Sequence, residues 1–362
     1  MLILAPQFVS APALKVLVPP GAIVAYAATI VSIPPPWALC DGVNGTPDLT
    51  DRFVIGADET YTYDTTGGAV SSTVGGSTGS DGLHTGPLQW TANQNAGGSG
   101  YDADGVHSHA LSGTIDTAPE SYSYVYIMAT GAAPLPADAI LWFDDIAGNM
   151  PAGFANETTL HGRFVKGVAT DARAVTGTNA QDVFLTLASA GYHQHGAQVA
   201  WAIGGSGYHE AIGGGQHTDV VVRQCAKSLP PYCGLTAIRV QTQTGAENLM
   251  IAAYRGFPGD LPAEWRLCDG ANGTPDLRGR MILGADGVTY AVGAVGGSGS
   301  RTATVASGVT HTVTHQHGAN NAEAAYVQAQ HTSYAWTHSH SIPDIPLGMP
   351  PWHALHHIVC AI

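Results

Sequence analysis

One pattern occurs three times along this chain, and it limits the fold more than any other feature. Residues 35–58 read PPWALCDGVNGTPDLTDRFVIGAD, and residues 262–286 read PAEWRLCDGANGTPDLRGRMILGAD. A third, eroded copy lies between them: GNMPAGFANETTLHGRFVKGVATD at 148–171, about five residues shorter at the turn. Each copy follows a short apolar segment, at 23–26, 140–143 and 250–254. Two units end in Pro-Pro-aromatic and then an alternating segment, LPPYCGLTAIRV from Leu229 and MPPWHALHHIVCAI from Met349; the first ends in APESYSYVYIMA from Ala118. The boundaries that follow are an N-terminal segment at 1–19 and repeats at 20–130, 131–244 and 245–362. A unit of about 115 residues this rich in glycine struggles to bury a full core alone, so the units are expected to associate, within one chain or between chains.

The expected class is mainly β with long Gly-rich loops. Asp-Gly and Asn-Gly in DGVNG and DGANG are tight-turn signals, and VTHTVTHQH and SYVYIM alternate like strands. Only 180–190 (AQDVFLTLASA) admits a short helix. Charged residues make up 11% of the chain, lysine occurs only at Lys15, Lys166 and Lys227, and the net charge is -14, which argues against nucleic acid as a partner. The N-terminus has no basic region before its apolar residues, and the longest apolar run, 22–33, is too short to span a bilayer. The expectation is a soluble protein made in a cytosol, without membrane insertion. The five cysteines, none in a CxxC pair, read as small buried hydrophobes. The repeated carboxylates Asp41/Asp269, Asp48/Asp276 and Asp58/Asp286 lie in turns, where aspartate caps its own backbone. With no G-x-S-x-G, H-E-x-x-H or P-loop present, no enzyme activity is expected.

Histidine is patterned too. Four H-x-H pairs are intact: His107/His109, His193/His195, His315/His317 and His338/His340. Two further slots keep one arm, His84-Thr85-Gly86 and His217-Thr218-Asp219. The step from first to second slot is 84→107, 193→217 and 315→338, that is 23, 24 and 23 residues. On a strand, residues i and i+2 share a face, so each pair presents two imidazoles side by side. Three pairs around an axis supply six nitrogens, an octahedral set that suits Fe(II) or Ni(II), whereas Zn(II) prefers four ligands. No position is then left for substrate, so such a site is structural. His161, His209, His311, His331, His353, His356 and His357 have no repeated position and read as ordinary polar or core residues.

W-x-L-C-D-G, T-P-D-L-R-G-R, G-A-D, a glycine-rich stretch, H-x-H and a final P-P-aromatic-x-x-L-x-x-I together resemble the phage tail-collar domain of short tail fibres. The H-x-H pairs resemble the iron-binding tip of coliphage long tail fibres. The resemblance is strong over 248–362, good over 20–115 and weak over 131–244. It implies three collar-like knobs about a threefold or pseudo-threefold axis, in a virion tail or baseplate protein. It also implies iron first, with nickel or zinc as alternatives, on His84, His107, His109, His193, His195, His217, His315, His317, His338 and His340. Gly86 cannot ligate and Asp219 offers oxygen, so His84 and His217 are the incomplete slots.

Two assemblies satisfy the pattern. In a homotrimer each unit forms its own knob, and the family's true trimers put this arrangement first. In a single-chain pseudo-trimer, one layer combines His84, His193, His195, His315 and His317. A second then combines His107, His109, His217, His338, His340 and Asp219. Short linkers favour this second form. Aromatics between the slots, Trp90, Tyr101, Trp201, Tyr208, Tyr326, Tyr334 and Trp336, are candidates for stacking on a receptor, either a glycan or an outer-membrane protein. Trp37, Trp265, Tyr232 and Trp352 belong to the repeat framework and are expected in the core. The leading expectation is a tail-fibre or tail-tip protein that recognises the host receptor, docked to other tail or baseplate proteins through residues 1–19. The alternative is a structural baseplate or tail connector, and a remote one is a metal-dependent envelope hydrolase.

Overall fold

The repeated apolar segments set the architecture, because each is buried on both faces. The computed structural model describes residues 15–78, 85–87, 101–103, 108–187, 195–200, 206–211, 219–305, 309–315 and 334–362. It is mainly β, 44% strand with no α-helix among the described residues, and contains an eight-stranded barrel. Five strands from each unit carry the two main sheets. In the first unit these are β1 (Ala22–Tyr26), β2 (Phe53–Gly56), β3 (Ser71–Val74), β4 (Leu111–Asp116) and β5 (Ser121–Ala129). In the second they are β6 (Ala139–Phe143), β7 (Phe164–Gly167), β8 (Ala180–Leu187), β9 (Asp219–Lys227) and β10 (Tyr232–Val240). In the third they are β11 (Met250–Tyr254), β12 (Met281–Gly284), β13 (Arg301–Val305), β14 (Ile345–Leu347) and β15 (Trp352–Cys360).

Equivalent strands pair with one another. β1 lies antiparallel to both β6 (Ala25 opposite Ile140) and β11 (Ile23 opposite Ala253), and β6 also pairs with β11 (Trp142 opposite Ile251). β2, β7 and β12 do the same through Lys166–Phe53, Phe164–Leu283 and Met281–Ile55. The closing strand of each unit joins the two sets. β5, β10 and β15 pair antiparallel with β1, β6 and β11 of their own unit. Each also runs parallel to a strand of another unit: β5 to β7, β10 to β12, and β15 back to β2. The exchange closes in a ring. The segments leading into the units follow it, with bridges Val16–Ala246, Val18–Ala133 and Leu135–Thr244.

This pairing explains why β1 reads AIVAY without a polar residue. Val24 and Tyr26 face one core cluster, Ile23 and Ala25 another. A third cluster holds Phe53, Phe164 and Met281, each 1% exposed. Phe53 and Phe164 meet edge to face, with ring centroids 6.4 Å apart, and burying each such side chain contributes roughly 2–3 kcal/mol. Trp37 and Trp265 are buried, and Tyr232 and Trp352 are partly buried against the same cores. All five cysteines are buried thiols.

The repeated L-x-x-R…G motif has a physical role at the junctions. The amides of Gly56, Gly167 and Gly284 donate to the carbonyls of Arg280, Arg52 and Arg163, each in another unit, at 2.8, 2.9 and 3.0 Å. A Cβ at these glycines would meet the carbonyl oxygens of Leu277, Leu49 and Leu160 at 1.7, 1.9 and 1.9 Å. Only glycine permits so close an approach. The DGVNG and DGANG turns behave as expected: Asn44 and Asn272 have φ of 55° and 52°, and Asp41 and Asp269 accept from the amides of Val43 and Ala271 at 3.0 and 2.9 Å.

The second sheet has six strands in the order β14-β13-β9-β8-β4-β3, two from each unit. Its edges meet where the Gly348 amide donates to Ser72 Oγ at 2.8 Å. Its core is Val74, Leu111, Ile115, Cys225, Ala303, Ile345 and Leu347. The helix admitted at 180–190 is instead β8, which pairs with β9 from Ala180–Ala226 to Leu187–Asp219. The run Val183-Phe184-Leu185-Thr186 suits a strand, and the partners on either side, β4 and β9, decide the outcome.

Candidate functional site

In sequence, the histidine motifs fall between strands of the six-stranded sheet. Among the ten candidate ligands, His109, His195, His315, His338 and His340 fall within the described residues, while His84, His107, His193, His217 and His317 lie outside them. Asp219 opens β9. Of the aromatics, Tyr101, Tyr208, Tyr334 and Trp336 are described, and Trp90, Trp201 and Tyr326 lie outside, as do most of the Gly-rich stretches.

His109 sits just before β4, and it is 3% exposed. Its amide donates to Thr78 Oγ1 at 3.0 Å, and the Thr78 amide returns a bond to the His109 carbonyl at 2.9 Å. In the third unit, strands Val309–His315 and Tyr334–His340 form a hairpin. His338 and His340 are thus on a strand, as the i, i+2 argument requires. In register, His315 stands opposite Tyr334, His338 opposite His311, and His340 opposite Val309. His315 is therefore four positions from the partner of His338, about 14 Å along the strand. His315 and His338 thus occupy different heights of one hairpin. His311, which the repeat pattern passes over, is the cross-strand partner of His338. In the second unit, His195 opens a hairpin with Ser206–Ala211 and stands opposite Ala211, and Tyr208 stands opposite Gln198. In the first, Tyr101 stands opposite Pro87. Among the described residues no group of three or more His, Cys, Asp or Glu is placed to hold a metal.

At the base of the same sheet lies an arrangement the sequence reading missed. Arg301, 2% exposed, begins β13. Its Nη1 donates to the carbonyls of Thr117 at 2.8 Å and Gly348 at 3.1 Å, and its Nε donates to that of Ser228 at 2.9 Å. Those three residues each stand two places before a proline, Pro119, Pro230 or Pro350, one per unit. One guanidinium thus ties all three units. Ser72 and Gln181 are the residues that, like Arg301, follow a positive-φ glycine by four places (Gly68, Gly177, Gly297). Lys227 Nζ adds bonds to the carbonyls of Asp116 and Ala118 at 2.9 and 2.8 Å. Burial pulls Arg301 down to about 10 and Lys227 to about 8. The only signal in the sequence was a single arginine within a run of glycine, serine and threonine.

A second polar cluster joins the first and third units. Arg255 grips Asp64 through Nε at 3.3 Å and Nη2 at 3.1 Å, and its Nη1 donates to the Gly45 carbonyl. His353 Nε2 lies 2.9 Å from Asp64 Oδ1. Burial works to raise the Asp64 carboxyl, but the bonds from Arg255 and His353 prevail and hold it below its usual range. The other ring nitrogen of His353, Nδ1, is buried without a hydrogen-bond partner, so the His–Asp pair has no nucleophile attached. Four of the thiols are unsuited to attack, since burial pushes Cys233 up to about 11, Cys360 to about 12, and Cys40 and Cys268 well above the usual value. Among the described residues, these two clusters clamp carbonyls and pair ions across the units.

No family model, no curated protein and no solved structure matches this chain.

Proposed function

We propose that this protein is a phage tail-fibre or tail-tip protein that recognises a receptor on the host surface. In this reading a single chain folds as a pseudo-trimer, and its imidazole pairs hold a divalent transition metal, iron first, along a pseudo-threefold axis. The observation that carries the reading is the ring of pairings: β1, β6 and β11 each contact the other two, and the closing strand of every unit crosses to another. Such an exchange inside one chain supports the single-chain form over the homotrimer that the family resemblance put first. The six-stranded sheet takes two strands from each unit, and in sequence the histidine motifs of all three units adjoin its strands.

The donor set suits the ion. His338 and His340 lie two residues apart on one strand, the spacing that puts residues on a common face, and paired imidazoles would suit such an ion. Bound metal would supply cross-linking between units, with binding energy appearing as stability. The aromatics of the excursions supply the receptor surface, glycan or outer-membrane protein, and the N-terminal segment supplies the link to other tail proteins.

Two measurements test this. Elemental analysis of the purified protein is expected to find iron, nickel or zinc that chelators remove with a fall in melting temperature. Fluorescently labelled protein is expected to coat a subset of bacterial strains in a panel. Co-purification with baseplate components, with no strain coated, would instead make this a connector. Metal-free protein of unchanged stability would remove the histidine argument.

A further inference from the structure

Two equivalent junctions differ in one site, which the first fills with its own arginine and the second leaves open. At the junction of the third unit with the first, Arg255 follows the last residue of β11, and its guanidinium reaches the Gly45 carbonyl in the DGVNG turn. At the junction of the second unit with the third, the residue after β6 is Asp144, and the matching turn is DGANG with Gly273 in place of Gly45. The two turns have the same backbone, with φ of 79° at Gly45 and 78° at Gly273. Asp144 is too short and of the wrong sign to donate to that carbonyl.

Beside it lies a cleft of about 270 Å³, with Asp144, Asn248, Arg266 and the Asn272-Gly273-Thr274 turn on its polar side and apolar residues such as Leu249 and Val359 on the other. Pockets for drug-sized ligands run from roughly 300 to 1,000 Å³, so this one suits a single side chain. Among the described residues, no ion pair or side-chain hydrogen bond engages the Asp144 carboxylate and no donor reaches the Gly273 carbonyl. Arg266 lines the cleft without pairing with Asp144. Burial, with Asp145 beside it, raises the Asp144 carboxyl, as expected for an acid that lacks its cation.

We infer that this cleft binds a guanidinium group from outside the chain, with Asp144 as its carboxylate partner and the Gly273 carbonyl as a second acceptor. A guanidinium offers five donors in a planar fork, enough to serve a carboxylate and a carbonyl together. The sister junction shows that this chain already uses the same turn in that way.

The test uses the full chain and calorimetric titration with capped arginine (acetyl-arginine-methylamide), free arginine and capped lysine. Capped arginine is expected to bind one per chain and more tightly than capped lysine. An arginine side chain of a partner protein as the source predicts that the capped form also outbinds free arginine; the reverse order points to the free amino acid. Asp144→Asn is expected to weaken binding at least tenfold. Asp144→Arg, which restores a built-in guanidinium, is expected to abolish binding and raise the melting temperature. Equal binding of lysine, unchanged affinity in Asp144→Asn, or a crystal structure with Arg266 closed onto Asp144 would overturn the inference. None of these results depends on metal or on bacterial binding.

Discussion

The guanidinium of Arg301 donates to the carbonyl of Thr117, 184 residues earlier in the chain, at 2.8 Å inside the base of the six-stranded sheet. The same side chain reaches Ser228 and Gly348, so one residue satisfies acceptors from every unit. Arg301→Ala would strand three carbonyls in a buried site. The expected loss is about 3–5 kcal/mol of unfolding free energy, read from urea denaturation. A change within about 0.5 kcal/mol, the range of an ordinary surface substitution, would show that the clamp is dispensable.

His357 gives the protein an acid-sensitive centre. It borders a cavity of about 30 Å³ shared with Phe53, Tyr126 and Phe164. Burial, helped by the neighbouring His356, lowers it from 6.5 to about 3. Between those values the unfolded chain holds a proton that the folded protein does not, so stability falls as the pH drops from about 6.5 towards 3. The slope from this one group approaches about 1.4 kcal/mol per pH unit. His357→Phe is expected to flatten the dependence between pH 6 and pH 5, above the range where carboxylates such as Asp64 contribute. An equally steep profile in that variant would assign the effect elsewhere.

The three junction glycines test the ring directly. Alanine at Gly56, Gly167 or Gly284 places a Cβ within 1.7–1.9 Å of a backbone oxygen of another unit. Each substitution is expected to destabilise by about 3 kcal/mol or more, to a similar degree at all three positions. A neutral result at any one would mean that its junction is open in solution.

Thiol chemistry should be silent in the folded state. With all five cysteines buried and burial raising Cys40, Cys233, Cys268 and Cys360, maleimide at pH 8 is expected to label the native chain only as it unfolds. Rapid labelling in native buffer would reveal an opening the structure lacks.

Much of the local structure was legible from the repeats. The turns at Asn44 and Asn272, the strands after Pro230 and Pro350 and the core positions of Trp37 and Trp265 follow from periodicity and turn chemistry. The exchange of closing strands was not, because three similar units carry the same apolar pattern and nothing in β5 itself says whose strand it will meet. The reading of 180–190 as a short helix failed for the same reason: β8 is fixed by β4 and β9, distant in sequence. Arg301 was invisible because its role depends on three carbonyls brought together only by that exchange. Of the histidine pattern, the strand setting of His338 and His340 is in the structure, together with a cross-strand neighbour, His311, that lacks any repeat spacing.

Native mass spectrometry of the purified protein reaches the central claim most directly, since it reads chain number and bound metal in one spectrum. The account expects one chain mass, 37.3 kDa, plus the mass of bound transition-metal ions that a chelator strips. A species of about three chain masses, or a single chain carrying no metal, would contradict it.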